Sequence, residues 1–332
     1  MNKLPDKFLE RLNSILPEPC REAALQSFTQ DKFFSIRVNL LKTNLSSVLG
    51  IFKNNAIPLT PVRWYADAFI LDRKDSQQPQ VRELIEKGLI YPQSLSSMLV
   101  PLLLGPKPGE YILDMCAAPG SKASQIFALM KGEQGEQSEQ SERNEGQLTC
   151  LESVRKRFYK LKAVLSLLGA SSVTCCFTDA RKFDPKMQLF DKILLDAPCS
   201  AEGRFSIHEP KSLGYWSIRK IHEMAYKQKG LLLHASRLLK PEGRLIYSTC
   251  TLAPEENEEA IDWLLRKTGG ALSVVPLKFK GFGDIATYPC LTQWGKKTYH
   301  ASIRECLRIC PTREMEGFFI AQLQKVSSFV KS

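Results

Sequence analysis

Between residues 111 and 265 this chain repeats one pattern: a short apolar run, a turn, then a longer stretch with apolar residues at helical spacing. The runs at 111–114, 147–151, 173–177, 192–195 and 244–247 read as strands, and 122–130, 155–168, 218–239 and 255–265 as helices. This succession predicts an α/β fold, a parallel sheet with helices on both faces, because parallel neighbours need a crossover and the crossover is usually a helix. Ligands in such sheets sit in the crevice beyond the carboxyl ends of the strands. The residues that directly follow each strand are therefore the first candidates for chemistry.

Two of those positions carry thiols. Asp196-Ala197-Pro198-Cys199 follows the run at 192–195, and Ser248-Thr249-Cys250 follows the run at 244–247. Both cysteines are expected to face one pocket, the placement a covalent mechanism needs. After the first strand comes Cys116-Ala117-Ala118-Pro119-Gly120-Ser121-Lys122, a turn of small residues that lets backbone approach a ligand, with a helix N-terminus that can receive a carboxylate. It is neither a dinucleotide nor a triphosphate glycine fingerprint. Glu152 and Asp179 stand at the next two strand ends, where carboxylates can accept hydrogen bonds from a ribose and an adenine amine.

Charge narrows the partner. Of 332 residues, 46 are Lys or Arg and 35 Asp or Glu, a net charge of +11. The stretch 131–146 has five Glu against one Lys and one Arg, so the remainder is more basic still. That balance suits a polyanion such as nucleic acid, although basic domains can also simply be soluble. The ten cysteines form no secreted disulfide framework, no apolar run reaches the ~20 residues of a membrane span, and the N-terminus lacks a signal-peptide stretch. A reducing, cytoplasmic setting without membrane association is expected.

The chain divides, on this reading, into a small α+β nucleic-acid-binding lobe over 1–93, for which the resemblance given below implies RNA, and a larger domain over 94–330. Helical spacing at 8–15 and 22–28, alternation at 34–39, a helix at 45–54 and a strand at 64–71 define the lobe. The Glu/Gln/Ser/Gly run at 131–146 is too polar to pack and reads as a loop insertion.

The segments LDMCAAPGSK (113–122), LLDAPCSAEG (194–203) and YSTCTLAPEENE (247–258) together resemble the RNA cytosine carbon-5 methyltransferases of the NOL1/NOP2/Sun group. The likeness continues through SIRVNLLK (35–42), YPQSLSSML (91–99) and EGFFIAQL (316–323), and Leu59-Thr60-Pro61 with Trp64 is most similar to bacterial RsmF-type enzymes of small-subunit ribosomal RNA. The resemblance implies a Rossmann-like fold, S-adenosyl-L-methionine as cofactor, and 16S rRNA or a small-subunit assembly particle as partner, with no obligate protein partner. It implies Cys250 as the nucleophile toward carbon 6, Cys199 as the residue assisting product release, and Asp196 as the acid facing the cytosine ring nitrogen and amine. Ala117, Pro119, Gly120, Ser121 and Lys122 map onto its cofactor loop, Glu152 onto the ribose acid and Asp179 onto the adenine acid. Arg157 and Asp196 are placed beside the same cofactor.

Three departures stand out: Ser121 where Gly is frequent, Ala201 within a segment often written Ser-Gly-Glu-Gly, and Glu152 for a more frequent Asp. None removes a reacting group. The chain ends soon after Leu323, whereas longer RsmF-type proteins continue into a further RNA-binding module, which leaves the RNA target open. A tRNA cytosine-5 methyltransferase and a non-catalytic RNA-binding ribosome assembly factor are the alternatives, the latter opposed by intact Cys199, Cys250 and Asp196. A nicotinamide dehydrogenase is disfavoured by the missing glycine fingerprint.

Other residues have plainer readings. Cys116, Cys150, Cys175 and Cys176 are expected to pack. Cys290, His300, Cys306 and Cys310 lack the paired spacing of a zinc site, so no metal is expected. The loop 204–211 and Tyr215-Trp216 are candidates to hold RNA, with Trp216 equally suited to packing.

Overall fold

In the computed structural model, residues 3–132 and 146–326 are described; residues 133–145 of the polar insertion lie outside them. The chain forms two compact units, one from 1–31, 184–279 and 285–332, the other from 32–183 and 280–284. Residues 1–93, read above as one lobe, are thus shared between the units.

The first unit opens with α1 (Asp6–Ile15) and α2 (Glu18–Thr29). Proline stands just before each helix and again in the first turn of α2, where a missing N–H costs nothing. Phe8, Leu12 and Ile15 form the buried stripe of α1 at helical spacing.

The second unit takes up the chain with β1 (Phe34–Val38), α3 (Leu45–Asn54), β2 (Thr60–Pro61), β3 (Ala68–Leu71), α4 (Pro79–Glu86) and β4 (Ile90–Pro92). Its antiparallel sheet runs β2-β3-β1-β4 over a core of Ile36, Val48, Phe52, Phe69, Val81 and Ile90. Next come α5 (Leu95–Leu104), β5 (Ile112–Asp114), α6 (Ser121–Lys131), β6 (Leu148–Glu152), α7 (Arg155–Leu167) and β7 (Thr174–Phe177). β5, β6 and β7 pair in parallel, as the alternation predicts. Two buried polar side chains of β1 and its end join the two parts of this unit: Arg37 donates to Gln93 and to Ser124 on α6, and Asn39 donates to the carbonyls of Gly88 and Leu168.

From residue 184 the chain returns to the first unit with β8 (Phe190–Asp196), α8 (Pro210–Leu213), α9 (Ile218–Leu238), β9 (Leu239–Thr249), α10 (Glu258–Thr268) and β10 (Leu272–Val274). β11 (Thr287–Tyr288), a hairpin of β12 (Gln293–Trp294) and β13 (Lys297–Thr298), β14 (Leu307–Ile309) and β15 (Phe318–Lys325) complete it. β8 and β9 are parallel, but β15 lies antiparallel along β9 from Phe319 opposite Thr249 to Gln324 opposite Arg244. The expected all-parallel sheet is therefore mixed. Residues 318–323 are all buried, and a segment covered on both faces gives a continuous apolar run instead of a strand's alternation.

Packing within this unit centres on the loops after β8 and β9. Phe8, Leu12 and Phe28 of the N-terminal helices share one cluster with Phe205, Leu252 and Tyr288. Phe8 meets Phe205 edge-on at 4.8 Å between ring centroids and Trp216 at 5.7 Å. The first two helices thus back the loops that carry the thiols.

Candidate active site

Parallel pairing sets the register of the two thiol loops. Leu195 lies opposite Tyr247 and Asp196 opposite Ser248, so the segments leaving β8 and β9 emerge side by side. Ala197 N–H donates to the Ser248 carbonyl at 2.9 Å, and Ser248 Oγ donates to Asp196 Oδ1 at 2.8 Å. Three and two residues further on, Cys199 Sγ and Cys250 Sγ stand 3.3 Å apart. That is a thiol–thiol contact, well beyond the ~2.05 Å of a disulfide. Asp196, Cys199 and Cys250 are brought together as the strand-end argument expects.

The Cys199 thiol is pushed well above its usual range, first by its hydrogen bond with Cys250 and then by burial. It therefore keeps its proton at neutral pH and can offer it to Cys250 Sγ. The two sulfurs are within hydrogen-bond reach, and either can donate to the other.

Behind the thiols lies a buried polar frame. Glu256, fully buried, accepts from Ser200 N–H at 3.0 Å and from Gln228 Nε2 at 2.8 Å, and its other oxygen shares a hydrogen bond with Ser200 Oγ. Gln228 also donates to the Pro198 carbonyl at 2.9 Å. Glu202 accepts from Thr251 Oγ1 at 3.1 Å, Leu252 N–H at 3.2 Å and Trp216 Nε1 at 2.8 Å, while Ser200 Oγ touches Thr251 Oγ1 at 2.7 Å. Gly203 N–H donates to the Cys250 carbonyl at 2.9 Å. A Cβ at Gly203 would lie 2.0 Å from the Gly317 carbonyl oxygen, so only glycine fits this crossing of backbones.

Sequence reasoning did not single out Ser200, Glu202, Gln228, Ser248, Thr251 or Glu256. All but Gln228 sit inside the two quoted thiol motifs, so the signal was present as an unexplained remainder of those motifs. Gln228 offered none, being one polar residue among many on α9. Trp216, left outside the catalytic set, packs on Phe8 and holds Glu202. Arg204, at the start of the basic loop, donates to Glu316 at 3.1 Å, and that carboxylate holds its guanidinium firmly charged.

The second unit presents the other candidate residues on one edge. Gly120 caps α6 at φ +114°, and a Cβ there would stand 3.2 Å from Leu161 and from Val164 on α7. Gly120 has no side chain with which to cap this helix. Ala117, Pro119, Ser121 and Lys122 flank it on the same turn. Arg157 joins this turn to the end of β6: Nη2 donates to the Ala118 carbonyl at 2.8 Å, and Nη1 lies 3.4 Å from Glu152 Oε2. Glu152, almost wholly buried, also accepts from Val154 N–H at 2.7 Å. Thr178 N–H donates to the Glu152 carbonyl, which sets Asp179 beside it; Asp179 accepts from the Arg181 guanidinium at 3.1 and 2.6 Å. An uncapped helix N-terminus, a buried acid and a second acid at successive strand ends match the carboxylate, ribose and adenine of an adenosyl amino acid. Among the described residues no group of three or more His, Cys, Asp or Glu is arranged to hold a metal ion.

Alternating strands and helices, a small-residue turn at a helix start and acids at successive strand ends define a Rossmann-like methyltransferase. Residues 101–324 match the family described as 16S rRNA methyltransferase RsmB/F, and the chain belongs to that family. It is 37% identical over 293 residues to a tRNA (cytosine(49)-C(5))-methyltransferase of Pyrococcus abyssi, covering 88% of each chain. It is 34% identical to the ribosomal RNA small subunit methyltransferase F of Citrobacter koseri, over 98% of this chain and 64% of that protein's length. A methyltransferase homolog protein from Pyrococcus horikoshii superposes on 97% of the chain and 100% of its own, with a TM-score of 0.72 at 30% identity. NSun6 from the same organism, solved with SFG, shares the fold with a TM-score of 0.78 at 21% identity.

Proposed function

We propose that this protein methylates carbon 5 of cytosine in RNA, with small-subunit ribosomal RNA as the substrate and Cys250 as the nucleophile. The observation that carries the reading is the pair of thiols 3.3 Å apart beside Asp196 at the ends of β8 and β9. Carbon 5 is a poor nucleophile until a sulfur adds to carbon 6. Cys250 forms that S–C6 bond, and the electron pair of the ring double bond moves toward the ring nitrogen and carbonyl. Asp196, oriented by Ser248, hydrogen-bonds that nitrogen and the exocyclic amine, a contact that strengthens as charge develops. S-adenosyl-L-methionine, when bound, supplies an electrophilic methyl group. The α6 N-terminus with Ala117, Pro119, Ser121 and Lys122 would hold its amino-acid end, Glu152 its ribose and Asp179 its adenine, with Arg157 bracing the turn against Glu152. After methylation a base takes the carbon 5 proton, the freed electron pair re-forms the ring double bond and expels the Cys250 sulfur as a thiolate, and Cys199 assists this release.

The target base must be flipped out of its stack to reach a half-buried thiol, and the excess of Lys and Arg supports an RNA partner. The α+β lobe within 1–93 and the loop 204–211 are the proposed RNA contacts, needing no obligate protein partner. All ten cysteines are free thiols, which supports a cytoplasmic setting.

RNA carrying 5-fluorocytosine tests the mechanism, because fluorine cannot leave as a proton. A covalent complex is expected with the wild type and none with Cys250→Ala; an undiminished yield in that variant removes the nucleophile assignment. Cys199→Ala is expected to accumulate a complex with ordinary RNA. A second reading, a tRNA target, is favoured by the identity and coverage of the Pyrococcus abyssi relative. Bisulfite mapping of total RNA from cells with and without the gene separates the two.

A further inference from the structure

The polar frame behind the thiols has one more hydrogen bond than its two hydroxyls can supply with protons. Four oxygens lie in a row: Glu256 Oε1, Ser200 Oγ, Thr251 Oγ1 and Glu202 Oε2. They make three contacts, and each is a hydrogen bond only if a proton lies in it. Ser200 and Thr251 supply one proton each. The third has to sit on a carboxyl, since two hydroxyls that both donated outward would leave bare oxygens facing each other at 2.7 Å. The remaining oxygens are already spoken for: Glu256 Oε2 accepts from Ser200 N–H and Gln228, and Glu202 Oε1 accepts from Trp216.

We propose that a single buried proton, shared along Glu256-Ser200-Thr251-Glu202, straps the Cys199 loop to the Cys250 loop and sets the spacing of the two sulfurs. Ser200 directly follows Cys199 and Thr251 directly follows Cys250, so this contact joins the two loops immediately beside the thiols. The four residues act as positioning residues; none is asked to touch the substrate.

Burial agrees with the count. It raises both carboxyls, that of Glu256 up to about 8 against the opposing hydrogen bonds of Ser200 and Gln228. Arg11, from α1, favours charge on Glu202, while Glu255 opposes it and Cys199 faces Glu256. The proton therefore resides on Glu256. With the folded-state value raised above the ordinary one, the strap is present at low and neutral pH and is lost as pH rises through about 8.

The test is infrared spectroscopy of the whole protein, reading the C=O stretch of a protonated carboxyl, which thiols and carboxylates do not give. At pH 7 the wild type is expected to show this band, to lose it on titration through about pH 8, and to lack it in Glu256→Gln. No band at neutral pH in the wild type overturns the proposal without need of any variant; so does a band that persists in Glu256→Gln. The effect on catalysis rests on the proposed cytosine chemistry. It is read separately as the pH profile of trapping by 5-fluorocytosine RNA, whose alkaline limb is expected to move in Glu256→Gln, because an amide carries its own donor and does not titrate. An alkaline limb unmoved in that variant overturns the positioning role. A carboxyl band with no trapping in the wild type leaves the strap in place and overturns the cytosine reading instead.

Discussion

Arg11 of α1 grips Glu255 with two guanidinium nitrogens, at 3.1 and 2.7 Å, and so fixes the first helix to the segment that follows Cys250. Trp294 completes the site, donating to the same carboxylate at 3.0 Å while its ring lies 5.2 Å from the Arg11 guanidinium. Both ion-pair partners are largely buried. Removing one leaves the other uncompensated, which costs about 3–5 kcal/mol in such pairs. Arg11→Ala is therefore expected to lower urea stability substantially and to slow trapping of 5-fluorocytosine RNA, since the Phe8 contacts to Phe205 and Trp216 loosen with the helix.

The same pair gives a pH signature. Burial opposes charge on Glu255, but the hydrogen bonds and charge of Arg11 prevail and hold its carboxyl below the ordinary range. A depressed folded-state value contributes stability above the ordinary carboxylate range that is lost as pH falls through the folded value. The gap in urea stability between wild type and Arg11→Ala is expected to narrow on acidification. A gap that stays constant from pH 7 to pH 3 would sink this account.

Gly120 is required twice, by its φ of +114° and by the 3.2 Å approach of Leu161 and Val164 to the place a Cβ would occupy. The backbone conformation alone costs a residue with a Cβ about 1–2 kcal/mol. Gly120→Ala is expected to lower stability by at least that amount and to weaken S-adenosyl-L-methionine binding in calorimetry, while Gly283→Ala, with open space around its Cβ, leaves both unchanged.

Ser248 orients Asp196 by one hydrogen bond of 2.8 Å. Such a bond is worth about 0.5–1.5 kcal/mol, so Ser248→Ala is expected to slow single-turnover methylation roughly two- to tenfold. RNA affinity should change little, because the lost contact acts on charge that develops during reaction.

How much of this was legible before the fold was known depends on the kind of signal. The strand ends bearing Asp196, Cys199 and Cys250 could be read, because short apolar runs that stop at a turn alternate there with stretches of helical spacing. The small-residue turn at Gly120 could be read for the same reason. β15 could not, since no turn and helix follow Phe318 to Leu323 to mark it as one more unit of the repeat, and nothing in the run itself says that it pairs antiparallel. The role of residues 6–29 was hidden differently: Phe8 and Phe28 announce amphipathic helices, but nothing in their spacing says that the partner is Phe205, far along the chain. Glu202 and Glu256 look like two more surface acids among 35 until burial shows otherwise.

Arg308 and Glu258 supply the sharpest test of how the acid run after Cys250 is held. The guanidinium meets both carboxylate oxygens at 2.6 Å, with both side chains essentially excluded from water. Breaking the pair by Arg308→Met leaves a buried carboxylate unpaired, at a cost of about 3–5 kcal/mol. Replacing both, as Arg308→Met with Glu258→Leu, removes the stranded charge, and in many buried pairs that exchange is close to neutral. Here recovery should be partial. Arg308 Nη1 also donates to the Leu252 carbonyl and to Tyr288 Oη, and Glu258 also accepts from Leu291 N–H, so the double variant strands polar groups that no apolar side chain can satisfy. Urea denaturation of the three variants is expected to place the double replacement between the wild type and Arg308→Met. A double variant no more stable than Arg308→Met would mean that the hydrogen bonds to Leu252, Tyr288 and Leu291, and not the ion pair, set the cost.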